Sequence, residues 1–303
     1  MNTNPNRKDS HLEICLNEEV EFSENSNAFA RLIFEHDALP EINKSKIDTS
    51  VTVLGKKLSA PLIIGSMTGG TDRAAELNRR LALAAQECGV GFALGSQRPM
   101  IENPDLISSY AARKWAPKLP LVFGNLGAVQ LNYGVDLAKV KALIAQTECD
   151  AFNFHLNPLQ EAVQPEGDTD FSGLLSKLSE IVPLLGIPVL VKEVGAGISD
   201  RTAEKLSRIP FAGIETAGLG GTSWSFIESR RTSDATQKSI GETFARWGVP
   251  TAESIVHCRR HFKDRTVISS GGIRNGIDIA KSIALGADAA AMALPILKAA
   301  EKS

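Results

Sequence analysis

The sequence predicts an α/β protein of the (β/α)8 TIM-barrel class, and three observations carry that prediction. Eight short apolar runs recur between residues 61 and 294, and each but the last is followed by a stretch of helical length and pattern. No GxGxxG follows the first run, and eight near-equal units suit closure better than an open doubly wound sheet. Clusters of Gly, Ser, Asn, Gln, His and Lys fall where the runs end, which is where a barrel of this class builds its site.

Residues 1–60 are the least regular and read as an N-terminal extension to a barrel spanning 61–303. The polar opening is expected to be mobile unless a ligand holds it. Phe29, Leu32, Ile33 and Phe34 predict a short buried patch, and residues 51–58 a hairpin with Gly55 at its turn. The first barrel strand is PLIIGS (61–66), followed by an Ala/Leu-rich helix over 72–88 that Gly89 stops. GFALG (91–95) is the second strand and precedes a helix over 104–114; LVFGN (121–125) is the third, before a helix over 136–146 opened by Asp136. AFNFH (151–155) is the fourth, with a helix over 171–185 ended by Gly186. PVLVKEV (188–194) is the fifth, with a helix over 199–208 capped by Ser199 or Asp200. FAGIET (211–216) is the sixth, then a long connection and one or two helices between 239 and 262. TVISS (266–270) is the seventh, with a helix over 277–285 stopped by Gly286, and AAAMAL (289–294) is the eighth. The remaining residues leave only a stub for the eighth helix. Such a shortened C-terminal end predicts one exposed side of the barrel or a neighbouring subunit covering it, and hence a homo-oligomer.

The totals exclude several classes. The 303 residues suit one large α/β domain or two small ones, and 43% hydrophobic content supplies a sizeable core. A net charge of -2 argues against nucleic acid or a membrane surface as the main partner. Four scattered cysteines without a CxxC favour a reduced, cytoplasmic protein lacking a zinc site. The opening residues have no apolar core of a secretory signal, and no apolar run reaches spanning length.

The densest chemistry lies in NFHLNPLQEAVQPEGD (153–168), which carries His155, Asn157, Gln160, Glu161, Gln164, Glu166 and Asp168. Glu161 is a candidate ligand for a hard divalent cation, which prefers carboxylate and phosphate oxygen. A lone His is more often a satisfied polar residue than a catalyst, but this density of polar groups favours a site. Glu166 and Asp168 read as support and helix capping before Phe171. SSGGIR (269–274) after the seventh strand, with Ala293 and Leu294 after the eighth, fits phosphate binding; two turn glycines would leave Arg274 unexplained. GSMTGG (65–70) permits close backbone approach to a flat ligand, or is a plain βα turn. Ser96, Gln97, Arg98 and Asn125 put polar groups at the barrel mouth. Lys192 is costly in an apolar strand unless it meets an anion or a polarised ring atom, and Glu193, pointing to the other face, is a poor partner. GLGGTSW (218–224) fits a second phosphate contact or a moving lid, against a flexible loop anchored by Trp224. His257 and His261 have metal-pair spacing, but their basic surroundings read as outer surface.

Taken together these residues resemble the type 2, FMN-dependent isopentenyl-diphosphate isomerases over most of the chain. The shared segments are Arg7 and Lys8 with His11, MTGG (67–70), GSQR (95–98), NLGA (125–128), HLNPLQE (155–161) followed by QPEGD (164–168), VKEVG (191–195), GGTSW (220–224) and SGGIR (270–274). HLNPLQE with QPEGD is highly specific, whereas SGGIR is common to many FMN barrels. The resemblance implies interconversion of isopentenyl and dimethylallyl diphosphate with reduced FMN, Mg²⁺ and NADPH as reductant. It implies FMN contacts at Ser66, Met67, Thr68, Ser96, Asn125, Lys192, Thr222, Gly272, Ile273, Arg274, Ala293 and Leu294. Arg7, Lys8, His155, Asn157 and Gln160 would bind substrate, with Gln160 and His155 catalytic, and Glu161 would hold Mg²⁺. Moving a double bond needs one proton added and another removed. Glu215 stands where the family pattern has Asp. Two alternatives stand beside this reading. An FMN-dependent 2-hydroxy acid oxidase would need a His base near the mouth, and AGLGGTSW (217–224) has none. The other is an inactive shortened barrel that still binds FMN or a diphosphate.

Overall fold

The structure, a computed structural model, describes residues 5–22 and 26–302, and for residues 5–7 the backbone alone. Helix α1 (Pro5–Asn17) and the hairpin β1 (Val51–Val53) and β2 (Lys56–Leu58) precede the barrel. The barrel then runs β3 (Leu62–Ile64), α2 (Asp72–Cys88), β4 (Gly91–Ala93), α3 (Arg98–Glu102), α4 (Ala112–Trp115), β5 (Val122–Gly127), α5 (Leu137–Thr147) and β6 (Ala151–Leu156). It continues with α6 (Pro158–Val163), α7 (Leu174–Ile181), β7 (Val189–Glu193), α8 (Asp200–Ser207), β8 (Gly213–Glu215), α9 (Trp224–Arg231), α10 (Ala235–Thr243) and α11 (Thr251–His261). It ends with β9 (Thr266–Ser270), α12 (Gly276–Ala284), β10 (Ala289–Met292) and α13 (Leu294–Lys302). The eight strands β3 to β10 pair in parallel and close, with β10 beside β3. The predicted barrel is therefore present, each strand at its expected place.

Alternation along the strands divides the core in two. Inward residues, including Ile63, Ala93, Phe123, Ala151, Leu190 and Ile268, fill the barrel, and Val53 and Leu58 of the hairpin join that cluster and plug its N-terminal end. Outward residues such as Phe92, Val122, Phe152, Phe154, Val191 and Ile214 pack under the helices, which bury Leu77 and Leu81 of α2, Leu143 of α5, Leu178 of α7 and Leu206 of α8. The helix starts follow local chemistry: Thr71, Asp136, Ser199 and Asp234 each accept a bond from the backbone of the first turn. Gly89 ends α2 at φ 64°, a left-handed position that suits glycine.

Several expectations are corrected. The opening residues form α1, which buries Leu12, Ile14 and Cys15 against the barrel. The helix expected over 104–114 is a 3₁₀ turn (Pro104–Tyr110) followed by short α4. The helix expected from 171 starts later, after left-handed Gly173, and gives way to a 3₁₀ turn at Pro183. Trp224 opens α9, capped by Ser223, in what read as a loop. The eighth helix is more than a stub: α13 buries Leu294, Leu297 and Ala300, Arg73 pairs with Glu301, and Arg80 donates to the Ala300 carbonyl. Of the patch expected at 29–34, Phe29 is buried and Leu32 half-buried, but Ile33 and Phe34 are exposed. Among the described residues no helix is long and apolar enough to cross a membrane.

Candidate active site

Strand register assembles the floor of the site. Gly127 is paired with His155, His155 with Lys192, and Lys192 with Glu215, so three titratable side chains from adjacent strands point into the barrel mouth at one level. Asn125, two residues before Gly127 on the same face, bonds His155: its Oδ1 lies 2.9 Å from Nδ1. Asn125 Nδ2 donates to the Leu94 carbonyl at 3.2 Å, which orients Oδ1 toward the ring. His155 therefore donates from Nδ1, and its neutral form keeps a lone pair on Nε2. Burial, with the positive charges of Lys192 and Lys8, pulls its pKa down to about 3, so the ring is neutral at neutral pH.

Lys192 is buried and pairs with Glu215 at 3.5 Å, while its Nζ donates to the Glu193 carbonyl at 2.6 Å. Glu215 also accepts from Ser270 Oγ at 2.8 Å, so its longer side chain still reaches across the strands. Glu193 points the other way, as alternation requires. Burial pushes its carboxyl up to about 6, and at neutral pH the anion accepts bonds from the backbone N–H groups of Val194, Gly195, Ala196 and Gly197. That fixes the loop whose Val194 and Gly195 line the cavity.

After β6 the chain turns into α6, which presents Gln160 and Glu161. Asn157 Nδ2 donates to Glu161 Oε1 at 2.8 Å and to Gln160 Oε1 at 3.2 Å, and the Asp168 N–H donates to Glu161 Oε2 at 2.7 Å. Burial raises the Glu161 pKa. Asp168 caps no helix; it accepts from Arg98 Nη1 at 2.6 Å and Gln130 Nε2 at 2.9 Å and so positions Arg98 at the cavity wall. Glu166 pairs with Arg231 at 2.8 Å, and Arg231 with buried Glu228.

Helix α1 roofs the site. Lys8 Nζ donates to Tyr110 Oη at 3.0 Å and the Ser96 carbonyl at 3.1 Å, and Tyr110 Oη donates to the same carbonyl at 2.7 Å. His11 lies 3.0 Å from Glu228 Oε1 and edge-on to Trp224 at 5.2 Å between ring centres. Burial alone would raise Glu228; the hydrogen bond from His11 and the charges of His11 and Arg231 outweigh it and lower its pKa.

Opposite α6 the wall is largely glycine backbone. Gly271 and Gly272 have φ 104° and 74°, and a Cβ on either would strike the backbone of Gly218 or Gly220. A Cβ on Gly69 would fall inside the Tyr110 ring, so Tyr110 also shapes the loop after β3. Arg274 is turned to Glu21, with its other Nη on its own carbonyl neighbour Ile273, so a phosphate here would have to compete with Glu21 for it.

One cavity collects the predicted side chains. Lys8, Ser66, Met67, Thr68, Ser96, Asn125, His155, Asn157, Gln160, Glu161, Lys192, Thr222, Gly272, Ile273, Arg274, Ala293 and Leu294 all line it. The Arg7 side chain lies outside the described residues. His257 and His261 stand apart, bonded to the Ile198 carbonyl and to Asp200. Sequence reading missed Tyr110, Gln130 and Glu228, which act through contacts between distant segments and carry no local motif.

The donor set fits a flavin and a metal-bound diphosphate. Ser66 Oγ and Asn157 Oδ1 are buried at the cavity without a partner among the described residues, and glycine backbone leaves room for a flat ring. No cluster of three or more His, Cys, Asp or Glu able to hold a metal occurs among the described residues. Glu161, on α6 at the cavity and oriented by Asn157 and the Asp168 N–H, would suit Mg²⁺ completed by phosphate oxygens and water.

Comparison with known proteins is consistent with this geometry. The family model of FMN-dependent dehydrogenases matches residues 3–103 and 167–302. A protein from a Nostoc species named isopentenyl-diphosphate delta-isomerase is 48% identical over 98% of this chain and 85% of its own. One of the same name from Rickettsia bellii is 46% identical over 98% of this chain and 86% of its own. Among solved structures, a mandelate oxidase variant with a monooxide FMN adduct superposes with a TM-score of 0.60 at 16% identity, covering 95% of this chain and 82% of that one. That last likeness is one of fold.

Proposed function

The chain belongs to the isopentenyl-diphosphate delta-isomerase family, on an FMN-dependent dehydrogenase barrel, and we propose that it interconverts isopentenyl and dimethylallyl diphosphate in the cavity between α1, α6 and the glycine loops. In that reading residues 61–303 are the flavin-binding barrel and residues 1–60 an extension that completes the site. The observation that carries the proposal is the convergence of Lys8, His155, Asn157, Gln160 and Glu161 on one cavity facing the glycine wall.

The diphosphate is held by Lys8 from above and by His155 and Asn157 from below, and Arg7 is a further cation for it. Its charge opposes the effect of burial and of the two lysines and so favours a proton on His155 Nε2. Glu161 would hold Mg²⁺, whose charge would favour the ionised carboxylate that burial disfavours. Ser66, Met67, Thr68, Ser96, Asn125, Lys192, Thr222, Gly272, Ile273, Arg274, Ala293 and Leu294 would hold FMN, Lys192 contributing positive charge to that site. When bound, reduced FMN, kept so by NADPH, would supply acid–base chemistry for the reaction. Gln160, held by Asn157, orients or relays the proton at those carbons. Leu12, Trp224 and Leu297 line the same cavity and keep water from it. One proton enters at the terminal methylene and one leaves the allylic CH2 two carbons along the chain, so the exchange needs no net redox change. A cytoplasmic location completes the proposal, supported by cysteines that are all free thiols.

The test is incubation of the purified chain with isopentenyl diphosphate, FMN, NADPH and Mg²⁺ without oxygen. Dimethylallyl diphosphate should form. Absence of product, or flavin reduction by glycolate or lactate instead, would overturn the proposal.

A further inference from the structure

The stretch that follows α1 is fastened to the glycine wall at two points. At the first, the Val20 carbonyl accepts from the Ser223 N–H at 2.9 Å, and the Phe22 N–H donates to the Gly221 carbonyl at 3.0 Å. These two bonds set Glu21 opposite Thr222 in an antiparallel bridge. Residues paired in that way carry their side chains on one face, and Thr222 lines the cavity. At the second point, Asn27 Nδ2 donates to the Gly272 carbonyl at 3.0 Å, and the Asn27 carbonyl accepts from the Ala252 N–H at 3.0 Å. Asn27 also sits so close to Gly220 that a Cβ on the glycine would lie 2.4 Å from its own. Backbone pairing onto the wall therefore fixes where the Glu21 carboxylate lies.

It lies on Arg274. Nη2 of Arg274 donates to Glu21 Oε1, and Nη1 donates to the Ile273 carbonyl at 2.9 Å. Arg274 is the only charged residue in the two glycine loops, 218–224 and 270–274, so a phosphate seated on them has one guanidinium to claim. The start of α12 offers no substitute. The Asn275 side chain already accepts from the Ile277 and Asp278 N–H groups, and the Asp278 carboxylate accepts from the N–H of Arg274 itself at 2.8 Å. A phosphate and a carboxylate fit the same planar fork of donors, and as like charges they repel across it. Resting on the flavin reading of this wall, we propose that Glu21 is a built-in competitor of the flavin phosphate, holding Arg274 until the phosphate displaces it. The chain then binds FMN less tightly than its phosphate site allows, by the fraction of molecules in which Arg274 is released. A flavin without a phosphate is indifferent to Glu21.

The test is fluorescence titration of the flavin-free full chain with oxidised FMN and, separately, with riboflavin, which lacks the phosphate. Glu21→Gln should bind FMN about two- to fivefold more tightly than wild type, the worth of a part-exposed ion pair that no longer competes. Its riboflavin affinity should equal that of wild type, which also shows that the site is intact. Arg274→Met should weaken FMN binding, and adding Glu21→Gln in that background should gain less than it does in wild type. Equal or weaker FMN binding by Glu21→Gln would overturn the proposal, and the flavin reading would stand if Arg274→Met still weakens FMN. The same gain in both backgrounds, or an equal gain for riboflavin, would overturn it as well, because Glu21 would then act without competing for Arg274. A chain that binds no FMN would overturn both the proposal and the flavin reading.

Discussion

At the scale of single residues, the site depends on groups whose protonation is set by their neighbours. His155 takes a proton near 6.5 in an unfolded chain but only at about 3 in the folded one. Between those values the unfolded state binds more protons, so this residue makes stability rise with pH across the window and fall on acidification. His155→Gln should flatten that slope in denaturant titrations at pH 4.5 and 7; an unchanged slope would refute the assignment. Glu161→Gln should keep flavin content but lose at least about tenfold in Mg²⁺ affinity, read from the metal dependence of turnover. Tyr110 is a positioning residue: its hydroxyl holds Lys8 over Ser96. Tyr110→Phe should raise the KM for isopentenyl diphosphate about tenfold, as expected for one lost charge-assisted bond, with little change in kcat. In a Lys8→Met background the same change should do nothing more, which a merely structural role would not produce. His155, Asn157, Gln160 and Glu161 were legible because they crowd one strand end. Tyr110 and Glu228 were not, since their roles arise from pairings with Lys8 and His11 across the fold.

At the scale of elements, both ends of the barrel are finished by residues that precede it. The hairpin inserts Leu58, fully buried, under Phe123 and Leu190. Leu58→Ala should destabilise the chain by about 2–5 kcal/mol in urea titration, the cost of removing a core leucine and leaving a cavity; a loss under 1 kcal/mol would mean the plug is dispensable. The strands were readable because parallel strands buried on both faces appear as unbroken apolar runs. Helix α1 was not, because PNRKDSHLEICLN is mostly polar and its few apolar positions count only once they meet the roof of the barrel. Helix α9 was hidden by the glycines before it, although Ser223 three residues ahead of Phe226 is a capping signal available to a closer reading. The segment at Pro104–Tyr110 is opened by Asn103, whose side chain accepts from the Asp105 N–H, and it brings Tyr110 against Gly69.

At the scale of the whole molecule, closure of the barrel brings segments nearly 300 residues apart around one cavity: Lys8 on one side, Ala293 and Leu294 on another. The barrel sets the glycine loops and α6 face to face, so a flat cofactor and a metal-bound diphosphate can share the space between them. The chain's last residues form α13, which buries Leu294, Leu297 and Ala300, and the densest run of exposed apolar residues lies between Ile33 and Ile47 instead. That shift was beyond sequence reading, since the same apolar letters in 29–34 serve as a buried root at Phe29 and an exposed limb at Phe34. The central claim is that flavin and diphosphate meet in this one cavity. The most direct measurement is the visible spectrum of the FMN-loaded chain, reduced without oxygen and titrated with isopentenyl diphosphate in the presence of Mg²⁺. A saturable change in the reduced-flavin spectrum is expected, and it should weaken when Mg²⁺ is withheld. A reduced spectrum indifferent to the diphosphate at every concentration, with flavin fully bound, would contradict it.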